Sequence, residues 1–339
     1  MHTVMLAPMA ELSHRALREL IHGFFTSAGE KTTSPAPEAS VVYFTEMISA
    51  AGLLAGGPFE KWYLDNGPSP EQLVYQLAGA DEDNLVKAAV LLNRQECLGI
   101  DINMGCSAPA ITRTGAGVRW MEDPDKAARL IEKLRKVTNK QLSAKIRLGP
   151  KDGGSLAACK RSDLPRTANL DCPNSAYLLR FCRKLEDQGL DLIILHPRLA
   201  SEKFKRHARW DYVELLQKEL KIPVAGNGDI NSVDELAQKA EEGKVMAGRL
   251  LVKQPWAFAA VCGGSTGKTI NIEETGLRFL ELLAKYQPPE FHLSRARRFF
   301  KFYCDNVTWA EYLRNNINRE KSLAGIEKAW LGYFSEAAL

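Results

Sequence analysis

The sequence lacks the features that mark membrane and secreted proteins. It contains no run of roughly 18 apolar residues, the length that a membrane-spanning helix needs. Its first residues include no basic segment followed by an apolar stretch and a small-residue cleavage site. We therefore expect a soluble, unsecreted protein that works in the cytoplasm without a membrane partner.

The cysteines form no recognisable framework. None of the seven belongs to a CxxC pair, so neither a zinc ribbon nor a disulfide scaffold is indicated; they lie at positions 97, 106, 159, 172, 182, 262 and 304. We expect reduced thiols and no bound metal. The net charge of +4 is also small, so it is compatible with a polyanionic partner without predicting one.

Short apolar runs rich in β-branched residues recur along the chain, with amphipathic helical patterns between them. Eight runs are present: Val4–Ala7, Val41–Phe44, Leu73–Leu77, Gly99–Asn103, Leu142–Ile146, Leu192–Leu195, Ile222–Ala225 and Lys244–Ala247. The helical patterns cover Ser13–Phe24, Asp81–Asn93, Pro124–Val137, Ser175–Gln188, Trp210–Leu220 and Ser232–Glu242. Eight such repeats favour an α/β fold of the (β/α)8 TIM barrel type over an open doubly wound sheet.

Two polar segments interrupt the repeat, and a helical tail follows it. Residues of about 26–40 and 150–174 are rich in turn-forming residues, so we interpret them as loop insertions. The sequence predicts a barrel over residues 1–262 and a smaller helical domain over 272–339.

Polar and charged residues stand at the end of nearly every run. In a barrel of this type the active site lies at the carboxyl ends of the strands, so these residues are the candidates for function. They occur in the segments Ala7–Ala10, Thr45–Met47, Asn103–Cys106, Lys145–Arg147, His196–Arg198, Gly226–Asp229 and Gly248–Arg249, and the third run contains Gln76.

The glycines after the seventh and eighth runs, with Arg249 beside them, are typical of a phosphate site built from backbone N–H groups. The alternative is that they only make tight turns. Gln76 and Lys145 have the chemistry to contact the polar edge and the negative charge of a reduced flavin. For these two the alternatives are a buried polar residue and an ion pair of Lys145 with Glu46.

Cys106 lies in a loop with glycine before it and proline after it. Such a loop can close over a ligand, and its thiol can act as a nucleophile or a general acid. A lone cysteine is, however, more often a small buried hydrophobic residue.

Taken in order, these strings resemble the dihydrouridine synthase family. The resemblance extends to about Trp256 and rests on Ala7-Pro8-Met9, Gln76, Asn103-Met104-Gly105-Cys106, Gly115-Ala116-Gly117, Lys145-Ile146-Arg147-Leu148-Gly149, His196-Pro197-Arg198, Asn227-Gly228-Asp229 and Gly248-Arg249. It implies an enzyme that uses FMN to reduce uridine to dihydrouridine in RNA, with NADPH as the source of electrons.

The resemblance also implies a role for each segment. Pro8, Met9 and Ala10 would line the flavin, Gln76 and Lys145 would contact its ring, and His196 would lie beside it. The ribityl phosphate would be held by Asn227, Gly228, Asp229, Gly248 and Arg249. Cys106 would donate the proton to C5 of uracil, and Asn103 would contact the base.

The RNA needs contacts beyond the reacting base, because a stacked uridine must be taken out of its stack. Arg198 and two basic stretches are candidates: Lys203–Trp210, which includes Lys203 and Arg206, and Arg295–Tyr303 in the tail. We therefore expect the helical domain over 272–339 to be an RNA-binding domain. In both stretches aromatic residues alternate with cations, a pattern typical of RNA-binding surfaces. For the second, an exposed helix face whose aromatic residues belong to the core is an equal alternative.

Several positions depart from the family pattern, among them Ser107, Ala110, Leu199 and Ala200. They leave the particular RNA open: we expect tRNA, with ribosomal RNA as an alternative. We also expect a monomeric enzyme. Two other functions stay open, an FMN barrel that acts on a small molecule and an RNA-binding protein without catalytic activity.

Overall fold

The computed structural model describes residues 2–26, 39–149, 175–202, 205–263 and 270–337. Within these ranges eight parallel strands close into a barrel in sequential order, which confirms the predicted (β/α)8 fold. The strands are β1 (His2–Leu6), β2 (Ala39–Ser49), β3 (Leu73–Ala78), β4 (Gly99–Met104), β5 (Gln141–Arg147), β6 (Leu192–His196), β7 (Val224–Asn227) and β8 (Lys244–Ala247).

The helices surround the barrel and continue beyond it as a tail. In the described ranges they are α1 (Arg15–Thr26), α2 (Ala50–Ala55), α3 (Glu60–Tyr63), α4 (Glu82–Leu92), α5 (Pro109–Thr112), α6 (Pro124–Val137), α7 (Ser175–Asp187), α8 (Asp211–Glu219), α9 (Val233–Glu241), α10 (Arg249–Lys253), α11 (Ala257–Val261), α12 (Ile272–Tyr286), α13 (Pro289–Tyr303), α14 (Ala310–Arg319) and α15 (Leu323–Ala337).

Local sequence explains where several of these helices begin. Asp81 caps α4 by accepting the N–H of Asn84, and Ser232 caps α9 in the same way through Glu235. Asp123 caps α6, whose first residue is Pro124, a residue that favours the first helical position because it has no N–H to leave unpaired. The strands between them are buried on both faces, as a parallel barrel requires.

The barrel interior has an apolar lower part and a polar upper part. Side chains such as Met5, Phe44 and Ile194 form an apolar cluster separate from the main core, which lies between the sheet and the helices. Nearer the carboxyl ends, the buried residues are polar and include Gln76 and Asp101. This change places the polar chemistry at the end of the barrel where active sites occur.

The tail packs against the barrel through α12, which lies on α1, and α13, which lies on α10. Its own core is aromatic: the rings of Phe279 and Phe299 stack 3.7 Å apart, and Trp330 is fully buried. The predicted division into two domains, 1–262 and 272–339, stays a prediction. Within the described ranges, no helix combines the length and the apolar character that crossing a membrane requires.

Two features of the second repeat differ from the sequence prediction. Thr45, Glu46 and Met47 do not follow the strand but lie inside it, because β2 continues to Ser49 and its register with β3 shifts between Phe44 and Met47. The short helices α2 and α3 were not predicted, since each is too short to show a helical period. Both predicted insertions lie almost entirely outside the described residues.

Candidate active site at the carboxyl end of the barrel

Strand register brings the predicted site residues together on neighbouring strands. Gln76 on β3 is in register with Asp101 on β4, Asn103 on β4 with Lys145 on β5, and Arg147 on β5 with His196 on β6. Because partners in register face the same side of a sheet, these side chains share one region at the top of the barrel.

A chain of hydrogen bonds fixes Gln76. Its Nε2 donates to Asp101 Oδ2 at 2.7 Å, and its Oε1 accepts from Asn103 Nδ2 at 2.9 Å. Ser143 donates to the other oxygen of Asp101 at 2.6 Å. Gln76 therefore has a single side-chain orientation. Because it is completely buried, its contact with a flavin stays a prediction beside the alternative of a buried polar residue.

Asp101, which is not among the residues predicted from the sequence, belongs to this network. It is fully buried, and burial raises the pKa of its carboxyl to about 6 in spite of the bonds from Ser143 and Gln76. The signal in the sequence was a carboxylate in the middle of an apolar strand, where a charge is costly unless it has partners.

The loop after β4 holds Cys106 in place through its backbone. The N–H of Cys106 donates to Asn103 Oδ1 at 2.9 Å, and its carbonyl accepts from Val118 at 3.0 Å. Gly117 has φ +64°, and a Cβ there would lie 2.4 Å from the Cys106 carbonyl, so only glycine fits. Arg147 Nε donates to the carbonyl of Gly105 at 2.9 Å. The half-buried thiol is thus carried by a fixed backbone.

Lys145 is a half-buried cation at the centre of the region. Burial lowers the pKa of its ammonium to about 8, with Arg147 adding to the effect and Asp101 opposing it. Among the described residues it forms no ion pair, and the alternative partner Glu46 binds Arg295 instead. The ammonium is therefore positioned to meet an anionic or polar ligand.

His196, Arg198 and Asp229 form a second network. Arg198 donates to both oxygens of Asp229, at 2.5 and 2.6 Å, and to His196 Nε2 at 3.0 Å. Burial, together with nearby cations of which Lys145 is the strongest, lowers the pKa of His196 far below its usual value. The imidazole is therefore neutral, and because Nε2 accepts a bond its proton is on Nδ1.

Arg198 was predicted to contact the substrate, and Asp229 the phosphate. Arg198 is only 3% exposed, and its guanidinium binds Asp229, His196 and the Arg206 carbonyl. The Asp229 carboxylate also accepts the N–H of Ala208 at 2.7 Å. The backbone φ of Asp229 is +53°. The bonds of Arg198 favour a role in orienting its neighbours. Those of Asp229 favour the same role, because a carboxylate repels a phosphate. Their ligand contacts stay predictions.

The glycines after β7 and β8 allow close approach between segments. A Cβ on Gly228 would lie 2.8 Å from the His196 ring, and one on Gly248 would lie 3.1 Å from Met9 Sδ. Asn227 donates to the Met246 carbonyl at 2.8 Å, which links β7 to β8. The first segment and the eighth thus meet at the predicted phosphate end.

Arg249 and the first loop complete this end of the barrel. Arg249 keeps 49% of its side chain exposed and lies 3.9 Å from Asp229. Pro8 and Met9 are half-buried and Ala10 is exposed, and the N–H of Met9 donates to Ser13 Oγ at 2.9 Å. The structure therefore gathers all the predicted cofactor residues at one end of the barrel.

The two stretches predicted to bind RNA differ in how many of their side chains are exposed. Lys205 and Arg206 are exposed beside the barrel mouth, whereas Lys203 lies outside the described residues. Trp210 packs on Gly226, and its indole N–H donates to the Gly228 carbonyl at 3.2 Å, so this ring supports the barrel.

In the second stretch, Phe299, Phe300 and Tyr303 are fully buried. These three rings belong to the core, whereas Phe302 is half-buried and Arg298 and Lys301 are exposed, so RNA binding by this stretch stays a prediction. Arg295 is buried as well, so it is not available to RNA.

Comparison with known proteins agrees with this geometry. The family model described as dihydrouridine synthase (Dus) matches residues 5–161 and 168–336. A probable tRNA-dihydrouridine synthase of Rhizobium leguminosarum is 24% identical over 96% of this chain and 89% of that protein. One of Aquifex aeolicus is 27% identical over 75% of this chain and 71% of that protein, and one of Helicobacter pylori 26% over 77% and 70%. Since the family model covers nearly the whole chain, this protein belongs to the dihydrouridine synthase family.

Proposed function

We propose that this protein reduces uridine to 5,6-dihydrouridine in tRNA, with FMN as its cofactor and NADPH as the source of electrons. The observation that carries the proposal is the place of Cys106 at the barrel mouth: its backbone N–H is held by Asn103, which is itself in register with Lys145. Family membership supports the reaction, and the relatives named as tRNA-dihydrouridine synthases support the substrate. A cytoplasmic location and a monomeric state belong to the same proposal.

The donor set at the barrel mouth fits a flavin mononucleotide. Lys145 supplies a cation for the charge that a reduced flavin carries at its pyrimidine edge. We expect Gln76 to contact the same edge through an amide that Asp101 and Asn103 hold in one orientation. Neutral His196 adds a polar ring without adding charge. The backbone of Asn227–Gly228 and the Arg249 guanidinium suit the phosphate.

The protein residues supply the proton of the reaction. When bound in reduced form, the flavin supplies a hydride to C6 of uracil. Cys106 then donates its thiol proton to C5, so that the C5–C6 double bond becomes a single bond. The sulfur then takes a proton from solvent, which restores the thiol for the next turnover.

Access of the uridine to this thiol requires that the base leave its stack, which costs roughly a few kcal/mol. Contacts with the RNA backbone offset this cost. Lys205 and Arg206 are exposed on the loop that also carries the Arg198 network, so phosphate binding there would hold the RNA beside the barrel mouth.

Two measurements test the proposal. Purified protein, with FMN added if necessary, should show flavin absorbance bands near roughly 370 and 450 nm. With NADPH it should then form dihydrouridine in unmodified tRNA. The absence of flavin bands would contradict the proposed enzyme activity and favour an RNA-binding role. Flavoprotein that reduces neither tRNA nor ribosomal RNA would favour a small-molecule substrate.

A further inference from the structure

One buried carboxylate joins the tail to the first loop of the barrel. Glu46 Oε2 accepts from Arg295 of α13 at 2.9 Å, and Glu46 Oε1 accepts the backbone N–H of Glu11 at 2.6 Å. The side chains of Glu46 and Arg295 are 6% and 3% exposed. Arg295 therefore binds Glu46, 249 positions away in the chain, and Glu46 binds one backbone N–H of the loop.

This N–H belongs to a strained turn. Glu11 has φ +63°, a left-handed conformation that is unfavourable for a residue with a side chain. It directly follows Pro8, Met9 and Ala10, and Met9 contacts the Gly248 position. A bond that holds Glu11 therefore also fixes the backbone that leads into the predicted flavin-lining segment.

Both side chains of the Glu46–Arg295 pair are buried, so water cannot take the place of a lost partner. Burial raises the pKa of Glu46, and Arg295 and the Glu11 N–H are the main groups that oppose this. The Arg295 guanidinium lies 4.5 Å from the centre of the Phe291 ring, and its NH1 has no hydrogen-bond partner among the described residues. Loss of Arg295 would leave a buried carboxylate without its cation, and such a group is strongly destabilising.

A second residue of α13 provides a comparison. Arg298 lies 3.8 Å from the Glu11 side chain, but both side chains are 47% exposed. An exposed pair at this distance contributes little. The same helix thus offers one buried and one exposed contact with the same turn.

We propose that Arg295 is a positioning residue: through Glu46 it fixes the Ala10–Glu11 turn, so that the helical tail sets the shape of the flavin-binding end of the barrel. The effect on FMN rests on the proposed function, whereas the effect on the turn does not. The tail thereby has a role at the cofactor site in addition to any contact with RNA.

The test compares Arg295→Met with the matched variant Arg298→Met. Hydrogen exchange of the Glu11 amide, measured in protein without flavin, should accelerate at least about tenfold in Arg295→Met and stay unchanged in Arg298→Met. The dissociation constant of FMN should rise at least about tenfold in Arg295→Met only, equivalent to 1.4 kcal/mol. Phe299→Leu, which weakens the tail core, should lower the melting temperature without altering the FMN dissociation constant.

A double variant separates positioning from general destabilisation. Glu46→Gln keeps an oxygen for the Glu11 N–H but needs no cation, so Glu46→Gln with Arg295→Met should recover most of the FMN affinity and amide protection. If Arg295→Met alone does not fold, the double variant is measured in its place.

The outcomes decide between the two proposals. Unchanged Glu11 exchange in Arg295→Met, or no recovery in the double variant, would overturn the positioning role. Failure of the unsubstituted protein to bind FMN would overturn the proposed function, and exchange at Glu11 would still decide the positioning role.

Discussion

Asn103 Oδ1 accepts the backbone N–H of Cys106 at 2.9 Å. The nitrogen of the same amide donates to Gln76 at 2.9 Å, so Asn103 ties the loop that carries the thiol to the network beneath it. The predicted proton donor and the predicted flavin contact are thus fixed relative to each other by one side chain.

Replacing Cys106 tests the proton donor. Cys106→Ala should retain FMN but lower the rate of tRNA reduction by about 100-fold or more, because a positioned general acid contributes about 10²–10⁴-fold. Cys97→Ala is the matched control, since Cys97 is also half-buried but precedes β4 at the opposite end of the barrel. Dihydrouridine formation under single turnover measures the effect. Full activity in Cys106→Ala would remove the thiol from the mechanism.

Replacing Asn103 tests the link itself. Asn103→Ala removes the acceptor for the Cys106 N–H and the donor to Gln76, so we expect a slower reduction step with FMN still bound. The loss should be about tenfold or more, because misplacement of a reacting group by about 1 Å can cost 10²-fold. The conservative variant Asn103→Asp keeps the acceptor and should recover part of the rate. Equal rates in Asn103→Ala and the unsubstituted protein would show that the loop holds its geometry without this bond.

Arg249 tests the phosphate site. Arg249→Ala should raise the dissociation constant of FMN by about 10- to 100-fold, since hydrogen bonds to charged groups contribute about 1.5–3 kcal/mol. Riboflavin, which lacks the phosphate, should bind both proteins equally. Arg278→Ala, on the exposed face of α12, serves as the control. A similar loss of riboflavin binding would place Arg249 at another part of the cofactor.

The exposed loop tests RNA binding. Lys205→Glu with Arg206→Glu should weaken tRNA binding and reduce the slope of log affinity against log salt by about one for each lost phosphate contact. Reversal of Lys87 and Arg129, which are exposed on α4 and α6, is the control for total charge. Equal affinities of the two double variants at matched salt would show that the loop makes no specific contact.

His14 tests the effect of pH on stability. Burial, with Arg295 and Arg18, lowers the pKa of His14 well below its usual value, and neither ring nitrogen has a hydrogen-bond partner among the described residues. The unfolded chain therefore binds a proton below about pH 6.5 that the folded protein does not, so acid destabilises the fold.

In His14→Leu, the fall in unfolding free energy between about pH 6.5 and 5 should lessen by up to about 1.4 kcal/mol per pH unit. Urea titrations of protein without flavin measure this difference. The unsubstituted protein, measured in parallel, gives the reference slope. An unchanged slope in His14→Leu would show that the folded protein protonates His14.

The sequence by itself determined the barrel and the place of its site. Each strand and each longer helix has its own local period, and seven of the strands lie within about two residues of their predicted runs at both ends. The exception is β2, where the register shift carries Glu46 into the strand. The polar strand ends were visible for the same local reason, although Asp101 was missed because it lies within an apolar strand.

Only the tertiary structure decided which side chains pair. Nothing local shows that Asp229 binds Arg198, that Glu46 takes Arg295 and not Lys145, or that the aromatic residues of α13 form a core. These choices depend on strand register and on packing between segments as many as 249 residues apart. A buried charge must find its partner wherever the fold brings one within reach, and that distance is set by the closed barrel rather than by the order of residues.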